Sequence, residues 1–398
     1  MGKKYLALPE LNQAEALNHA EALNRTEALN RAEALHRNAA MAPLVITGGD
    51  PAGIGPELVL ALAGDFVEYS APLVYFSTGG PAHAEEASAA CLAQGGEARL
   101  LSRAELHHVF PDAGASDAHP DQSAPRPRGI FIVDAASEAG LSPVAPGRPC
   151  EDSGAAAFAA LEGACDFIKH AGSCAGLLTA PISKEWIARS GIPGFHGHTD
   201  YLGERFNSAT LMLMHGPNFS VIPLTVHIPL VEAGLELRRV LGDEEQFALL
   251  REVRELPFFS QGPWAFCGLN PHAGEGGLLG REETEFLSAG IAAWTARGLP
   301  LEGPIPADAV FMEDNLKRYR LILGCYHDQV LIPFKALEGR RGINCTIGLP
   351  FPRSSPDHGT AFELAGKKAC DPLSMREAFR YLLGADTNTR RLAGGKSS

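Results

Sequence analysis

The sequence predicts an α/β protein with two α/β/α domains around a cleft, on three observations. Short apolar runs alternate with longer helical stretches from Pro43 onward. A chain of 398 residues, 45% hydrophobic and 20% charged, carries apolar material for more than one small core. Histidines and cations follow the apolar runs directly, which is where α/β sheets present ligand-binding side chains. The expected division is an appendage over residues 1–40, a first domain over 41–180 plus 328–398, and a second over 181–327.

Residues 12–37 hold a six-residue near-repeat (NQAEAL, NHAEAL, NRTEAL, NRAEAL) that places Leu17, Leu23, Leu29 and Leu35. At about 100° per residue a step of six sends successive leucines in three directions, so the segment has no face to bury and falls outside the fold. Its regular glutamates argue against a mitochondrial presequence. From Pro43 the grammar changes. LVIT precedes PELVLALAG, PLVYFST precedes a helix near Glu85–Gln94, and IFIVDA precedes SGAAAFAALEGACDFIKHAG. AGLLTAP leads into SKEWIARSG, and LMLMHG and FSVIPLTVHIPL are close enough to pair as antiparallel strands. WAFCGLNP, a helix from about Glu282 to Arg297, LILGCYHD and INCTIGLP follow, with a last helical region from Ala361. Pro111–Arg128, rich in Pro, Asp, Ser and Ala, reads as a surface insertion.

The formal net charge of −13 excludes a basic nucleic-acid or anionic-membrane face, so any anion must find a local basic pocket. Eight cysteines without a CxxC pair read as reduced, mostly buried thiols. No apolar run reaches the roughly 18 residues that span a bilayer, and the N-terminus lacks the apolar core of a signal peptide; the expected compartment is the cytoplasm.

Three histidines follow strand-like runs: His227 in LTVHIPL, His272 in GLNPHAGE and His327 in GCYHDQ. Three imidazoles leaving an open position suit a catalytic divalent ion. Their spacing matches no local metal motif, and each alone reads first as a satisfied structural histidine. Lys335, Asn344 and Arg353 lie in YHDQVLIPFKALEGRRGINCTIGLPFPRS, read as two strand-like runs separated by a turn. Converging on a crevice they would bind phosphate or carboxylate; otherwise they are solvated loop groups. GHTD offers His198 and Thr199 at a loop-to-helix junction, where Thr199 is also a possible N-cap. TGGDPAGIGPE is a tight strand-to-helix turn without the GxGxxG fingerprint. DHGTAFELAGKK reads as a small-residue loop leading into a helix.

Together these segments, with TAPISKEW, GHTDYLGERF and GLNPHAGEGGLLGREE, resemble the 4-hydroxythreonine-4-phosphate dehydrogenase family from about Pro43 to about Arg380. The resemblance implies a homodimer in which His227, His272 and His327 bind one divalent ion (zinc, cobalt, magnesium or similar) in a site shared between subunits. It implies that His198, Thr199, Lys335, Asn344 and Arg353 contact substrate, and that Asp308 or Lys335 handles a proton. It also implies an isocitrate/isopropylmalate dehydrogenase-like fold, with His358, Gly359 and Thr360 on the NAD or NADP side, in the first domain. The metal and dimer contacts would then fall in the second. The implied reaction is oxidation of 4-phosphohydroxy-L-threonine to a 3-oxo acid that decarboxylates to 3-amino-2-oxopropyl phosphate, in vitamin B6 biosynthesis. The alternatives are a paralogous dehydrogenase of phosphothreonate, phosphoerythronate or an aromatic cis-diol carboxylate, and a catalytically silent binding protein on the same scaffold.

Overall fold

Runs of three to five residues, most of them buried, form the twelve strands of one sheet. They are β1 (Leu44–Thr47), β2 (Leu73–Ser77), β3 (Ala98–Leu100), β4 (Ile130–Asp134), β5 (Gly176–Thr179), β6 (Leu211–His215), β7 (Ser220–Pro223), β8 (Trp264–Cys267), β9 (Leu301–Ile305), β10 (Leu321–Gly324), β11 (Ile343–Ile347) and β12 (Arg353–Pro356). The computed structural model describes residues 42–111 and 127–384. The N-terminal repeat and nearly all of the expected insertion lie outside the described residues. Among the described residues no helix is long and apolar enough to cross a membrane, and all eight cysteines are free thiols, six of them buried.

The strand order is β3-β4-β2-β1-β5-β12-β11-β6-β7-β10-β8-β9. The first six strands in that order are mutually parallel, as are the last four. Between them β11 runs antiparallel to both β12 and β6, and β6 antiparallel to β7 as expected. Three reversals set the two parallel groups in opposite directions. The right-handed twist common to such sheets accumulates across these strands.

Alternation along the strands divides the core. Val45, Val74, Phe76, Phe131 and Leu177 point to one face, while Leu44, Ile46, Leu73, Tyr75 and Leu178 point to the other. Helix α1 (Gly55–Leu60) follows the glycine-rich turn after β1. The long α2 (Glu151–Ala171) covers the first face and ends at Gly172, in the left-handed conformation at φ 65°. Helix α3 (Lys184–Arg189) is capped by Ser183, whose Oγ accepts from Trp186 N at 3.3 Å. It packs tightly on α2 because residue 154 is glycine: a Cβ there would lie 2.2 Å from Trp186 O.

Helix α4 (His198–Phe206) begins at Gly197, φ 136°, with no side-chain cap. Thr199 is therefore inside the first turn and not its N-cap. The run VLIPF, expected as a strand, lies in helix α5 (His327–Glu338). Val330, Leu331 and Phe334 are buried while Ile332 is 65% exposed, the one-sided pattern of a helix; Pro333 is accommodated within it. The helix expected from Ala361 does not form. Residues 362–368 make turns, with positive φ at Ala361 (44°), Gly366 (79°) and Lys368 (52°), and the last described helix is α6 (Leu373–Leu382). Its packing explains β12, a strand of Arg, Ser, Ser and Pro with no apolar signal: Ser354 Oγ donates to Ala378 O at 2.8 Å.

Candidate active site

The buried centre of the site is Arg353, 2% exposed. Its guanidinium donates to Thr179 Oγ1 at 2.6 Å and Thr346 Oγ1 at 3.1 Å, so hydroxyls of β5 and β11 hold it, and among the described residues no carboxylate pairs with it. Burial lowers its pKa to about 10, which leaves it charged at neutral pH. Thr199 Oγ1 stands 3.3 Å from Thr346 Oγ1, which ties the first turn of α4 to the same cluster. Beside it the His198 ring is held well below its ordinary pKa by burial, then by the charges of Arg353 and Lys184, and its Nε2 is enclosed without a hydrogen-bond partner. Arg353 Nε and Asn344 Oδ1 are likewise buried and unpartnered. Uncompensated polar atoms around a buried cation are the chemistry of a pocket for an anion.

The three histidines stand at the carboxyl ends of three adjacent parallel strands, His227 after β7, His327 after β10 and His272 after β8. Side chains stitch those ends together. Thr225 Oγ1 donates to Cys325 O at 2.8 Å, Cys325 N to Gln329 Oε1 at 2.7 Å, and Gln329 Nε2 to Gly268 O at 2.7 Å. The His227 and His327 ring centroids are 6.0 Å apart. His327 Nδ1 lies 2.6 Å from Asp328 Oδ1, an orientation that leaves Nε2 available. Burial and then Lys184 lower the His227 pKa, favouring the neutral imidazole. Within one chain, no three His, Cys, Asp or Glu side chains among the described residues gather closely enough to hold a metal.

His272 opens a rare backbone run in which His272, Ala273, Gly274, Glu275 and Gly276 all have positive φ, between 42° and 78°. Glu283, 3% exposed, secures it by accepting from Asn270 N (2.8 Å) and Asn270 Nδ2 (2.9 Å), and Glu282 accepts from Nδ2 at 2.7 Å. Asp308 is exposed, on the short Ala307–Val310 helix packed beside this loop.

On the other side of the cleft, Lys335 pairs with Asp357, itself raised in pKa by burial. His358 Nε2 is enclosed and unpartnered, while Gly359 has open space where a side chain would be. Thr360 anchors the glycine-rich turn: Ile54 N donates to Thr360 O at 2.9 Å, and a Cβ on Gly53 would lie 2.6 Å from that oxygen. The two segments read separately as weak signals thus form one surface.

Lys184, Thr179, Thr346, Asp328, Asp357, Asn270 and Glu283 were not singled out from the sequence. Lys184, Asp328, Asp357, Asn270 and Glu283 lie within quoted motifs, but their roles depend on partners from 1 to 22 residues away in sequence or on other strands. Thr179 in TAPISKEW and Thr346 in INCTIGLP also lie within quoted motifs, but nothing short of the sheet pairing points to them.

The family model described as "Pyridoxal phosphate biosynthetic protein PdxA" matches residues 87–382. The chain is 34% identical over 356 residues, 89% of its length and 98% of the relative's, to a 4-hydroxythreonine-4-phosphate dehydrogenase of Beijerinckia indica. It is 37% identical to one of Chromobacterium violaceum, over 85% of this chain and 94% of that one. Among solved structures it resembles the Klebsiella pneumoniae 4-hydroxythreonine-4-phosphate dehydrogenase with a TM-score of 0.62 and 29% identity, covering 87% of this chain and 98% of that one. Motifs, fold and relatives agree, and the chain belongs to the PdxA family of 4-hydroxythreonine-4-phosphate dehydrogenases.

Proposed function

We propose that this chain is an NAD- or NADP-dependent, metal-assisted oxidoreductase. It converts 4-phosphohydroxy-L-threonine to a 3-oxo acid that decarboxylates to 3-amino-2-oxopropyl phosphate, in pyridoxal phosphate biosynthesis. The observation that carries the proposal is a buried Arg353 held by two threonine hydroxyls, with no carboxylate bonded to it among the described residues, in a chain whose adjacent strand ends bear three histidines. Relatives named for this activity support it.

The donor set fits a divalent ion such as zinc, cobalt or magnesium: His227, His272 and His327 would hold it, in a homodimer whose subunits share the site. The enclosed His358 Nε2 and the open face of Gly359 fit a nicotinamide cofactor, with Thr360 fixing their loop. When bound, the ion supplies Lewis acidity to the substrate alcohol and the cofactor supplies the hydride acceptor.

The chain's own groups do the rest. Arg353, His198, Thr199 and Asn344 bind and orient the anionic substrate. Lys335 is engaged in its pair with Asp357, so the proton-accepting role falls first to the exposed Asp308. Oxidation places a carbonyl β to the carboxylate. The C–C bond to that carboxylate then breaks, carbon dioxide leaves, its electron pair passes toward the carbonyl, and a proton returns to carbon.

The test is NADH or NADPH formation by purified protein supplied with a divalent metal and 4-phosphohydroxy-L-threonine. Phosphothreonate, an aromatic cis-diol carboxylate and an EDTA control run alongside. Chelator-sensitive turnover of the first substrate is expected; turnover of phosphothreonate or the diol alone would reassign the substrate.

A further inference from the structure

We propose that Lys184 is a further substrate-binding residue, its side-chain nitrogen holding an anionic oxygen group, phosphate or carboxylate, beside His198 at the Arg353 pocket. The inference rests on the functional reading above and deepens it.

The local structure aims Lys184 at the pocket. The residues between β5 and α3 are pinned to the glycine-rich turn, with Ala180 N donating to Thr47 O at 3.1 Å and Asp50 N to Pro181 O at 2.9 Å. Ser183 caps α3, and Gly154 lets α2 clamp it, so the first residue of the helix has a fixed position. From there the Lys184 side chain crosses the backbone of Gly197, immediately before His198. A Cβ on residue 197 would lie 2.9 Å from Lys184 Cε and 3.3 Å from Nζ, at a φ of 136° that disfavours any side chain. Gly197 thus leaves a passage that the lysine fills.

The charge is not explained by the protein alone. Among the described residues Lys184 makes no ion pair, in a chain with 47 acidic against 34 basic residues. It runs beside Gly197, the residue before His198, and its charge acts on that ring. Arg353 acts on the same His198 ring. Two cations turned toward one imidazole, with no carboxylate bound to either, leave a positive field that a substrate anion neutralises.

Lys184 is exposed at the start of a short helix, so substitutions there leave the fold intact. In the full chain, K184M should raise KM for 4-phosphohydroxy-L-threonine by about 10- to 100-fold with a much smaller change in kcat. K184R should stay within about fivefold of the parent protein, and the thermal midpoints of all three should agree. Inorganic phosphate titrated by calorimetry separates the two anions: weaker phosphate binding by K184M assigns the phosphate, whereas unchanged phosphate binding with a raised KM assigns the carboxylate. Failure of the parent protein to turn over this substrate would sink the functional reading and leave the phosphate titration to judge Lys184. Unchanged KM and unchanged phosphate affinity in K184M would overturn the inference, as would a loss confined to kcat.

Discussion

Arg353 shows how one residue sets the character of the site. Its guanidinium is anchored by two threonine hydroxyls on neighbouring strands, a fork that a lysine cannot reproduce with one nitrogen. R353K should therefore lower kcat/KM by about 100-fold or more, measured by steady-state kinetics, while retaining the positive charge. A loss under threefold would show that charge alone suffices. His198 adds a pH dependence to stability. Burial depresses its folded-state pKa below the ordinary 6.5. The unfolded chain therefore takes up a proton that the folded one refuses, and this contribution is fully present above 6.5 and declines as pH falls below it. Unfolding midpoints measured between pH 7 and pH 5 should fall less steeply for H198N than for the parent. Parallel slopes would remove His198 as the cause.

At the scale of elements, the His272 loop is built on conformations that L-residues avoid. Its positive-φ run persists because Glu283 and Glu282 bind Asn270 on one side and Gly274 admits Glu283 on the other, where a Cβ would come within 2.6 Å of Oε2. E283A strips a buried backbone donor of its acceptor and should cost about 1–3 kcal/mol in chemical denaturation. It should also weaken metal retention, measured by equilibrium dialysis, because the loop that presents His272 loses its support. Unchanged stability and retention would mean the loop holds its shape without that carboxylate. Glu338, at the end of α5, plays a comparable part for the β6–β7 hairpin, accepting from Asn218 N at 3.0 Å and Phe219 N at 2.9 Å.

For the whole molecule, the prediction concerns assembly. Leu230, Val231 and Leu235 are 67%, 89% and 77% exposed, and they line a groove of about 480 Å³ that also includes Asn270 and Tyr326, from the segments bearing His272 and His327. An apolar face next to a three-histidine set that one chain leaves ungathered fits the proposed homodimer. Sedimentation should give twice the chain mass, and V231E/L235E should shift the protein toward monomer and lose metal and turnover together. A fully active monomer would refute the shared site.

The sequence by itself determined the α/β class, the order of most strands and helices, and that three histidines follow apolar runs, because hydrophobic period and loop chemistry are local properties. Family membership was legible for a related reason: its motifs are short contiguous segments. Tertiary structure decided the rest. The VLIPF run has the composition of a strand, and only its packing against β7 and β10 makes it a helix with one buried face. Arg353–Pro356 has no apolar signal and becomes a strand because β5, β11 and α6 surround it. Taken singly, Arg353 reads in sequence as a solvated loop charge, and only the surrounding motifs mark it as a substrate contact. Its meaning comes from Thr179, 174 residues away, and Thr346, seven away, whose hydroxyls are brought to it by pairing across the sheet. Neither residue type nor spacing encodes such a contact, since it depends on the strand order that sets β12 between β5 and β11.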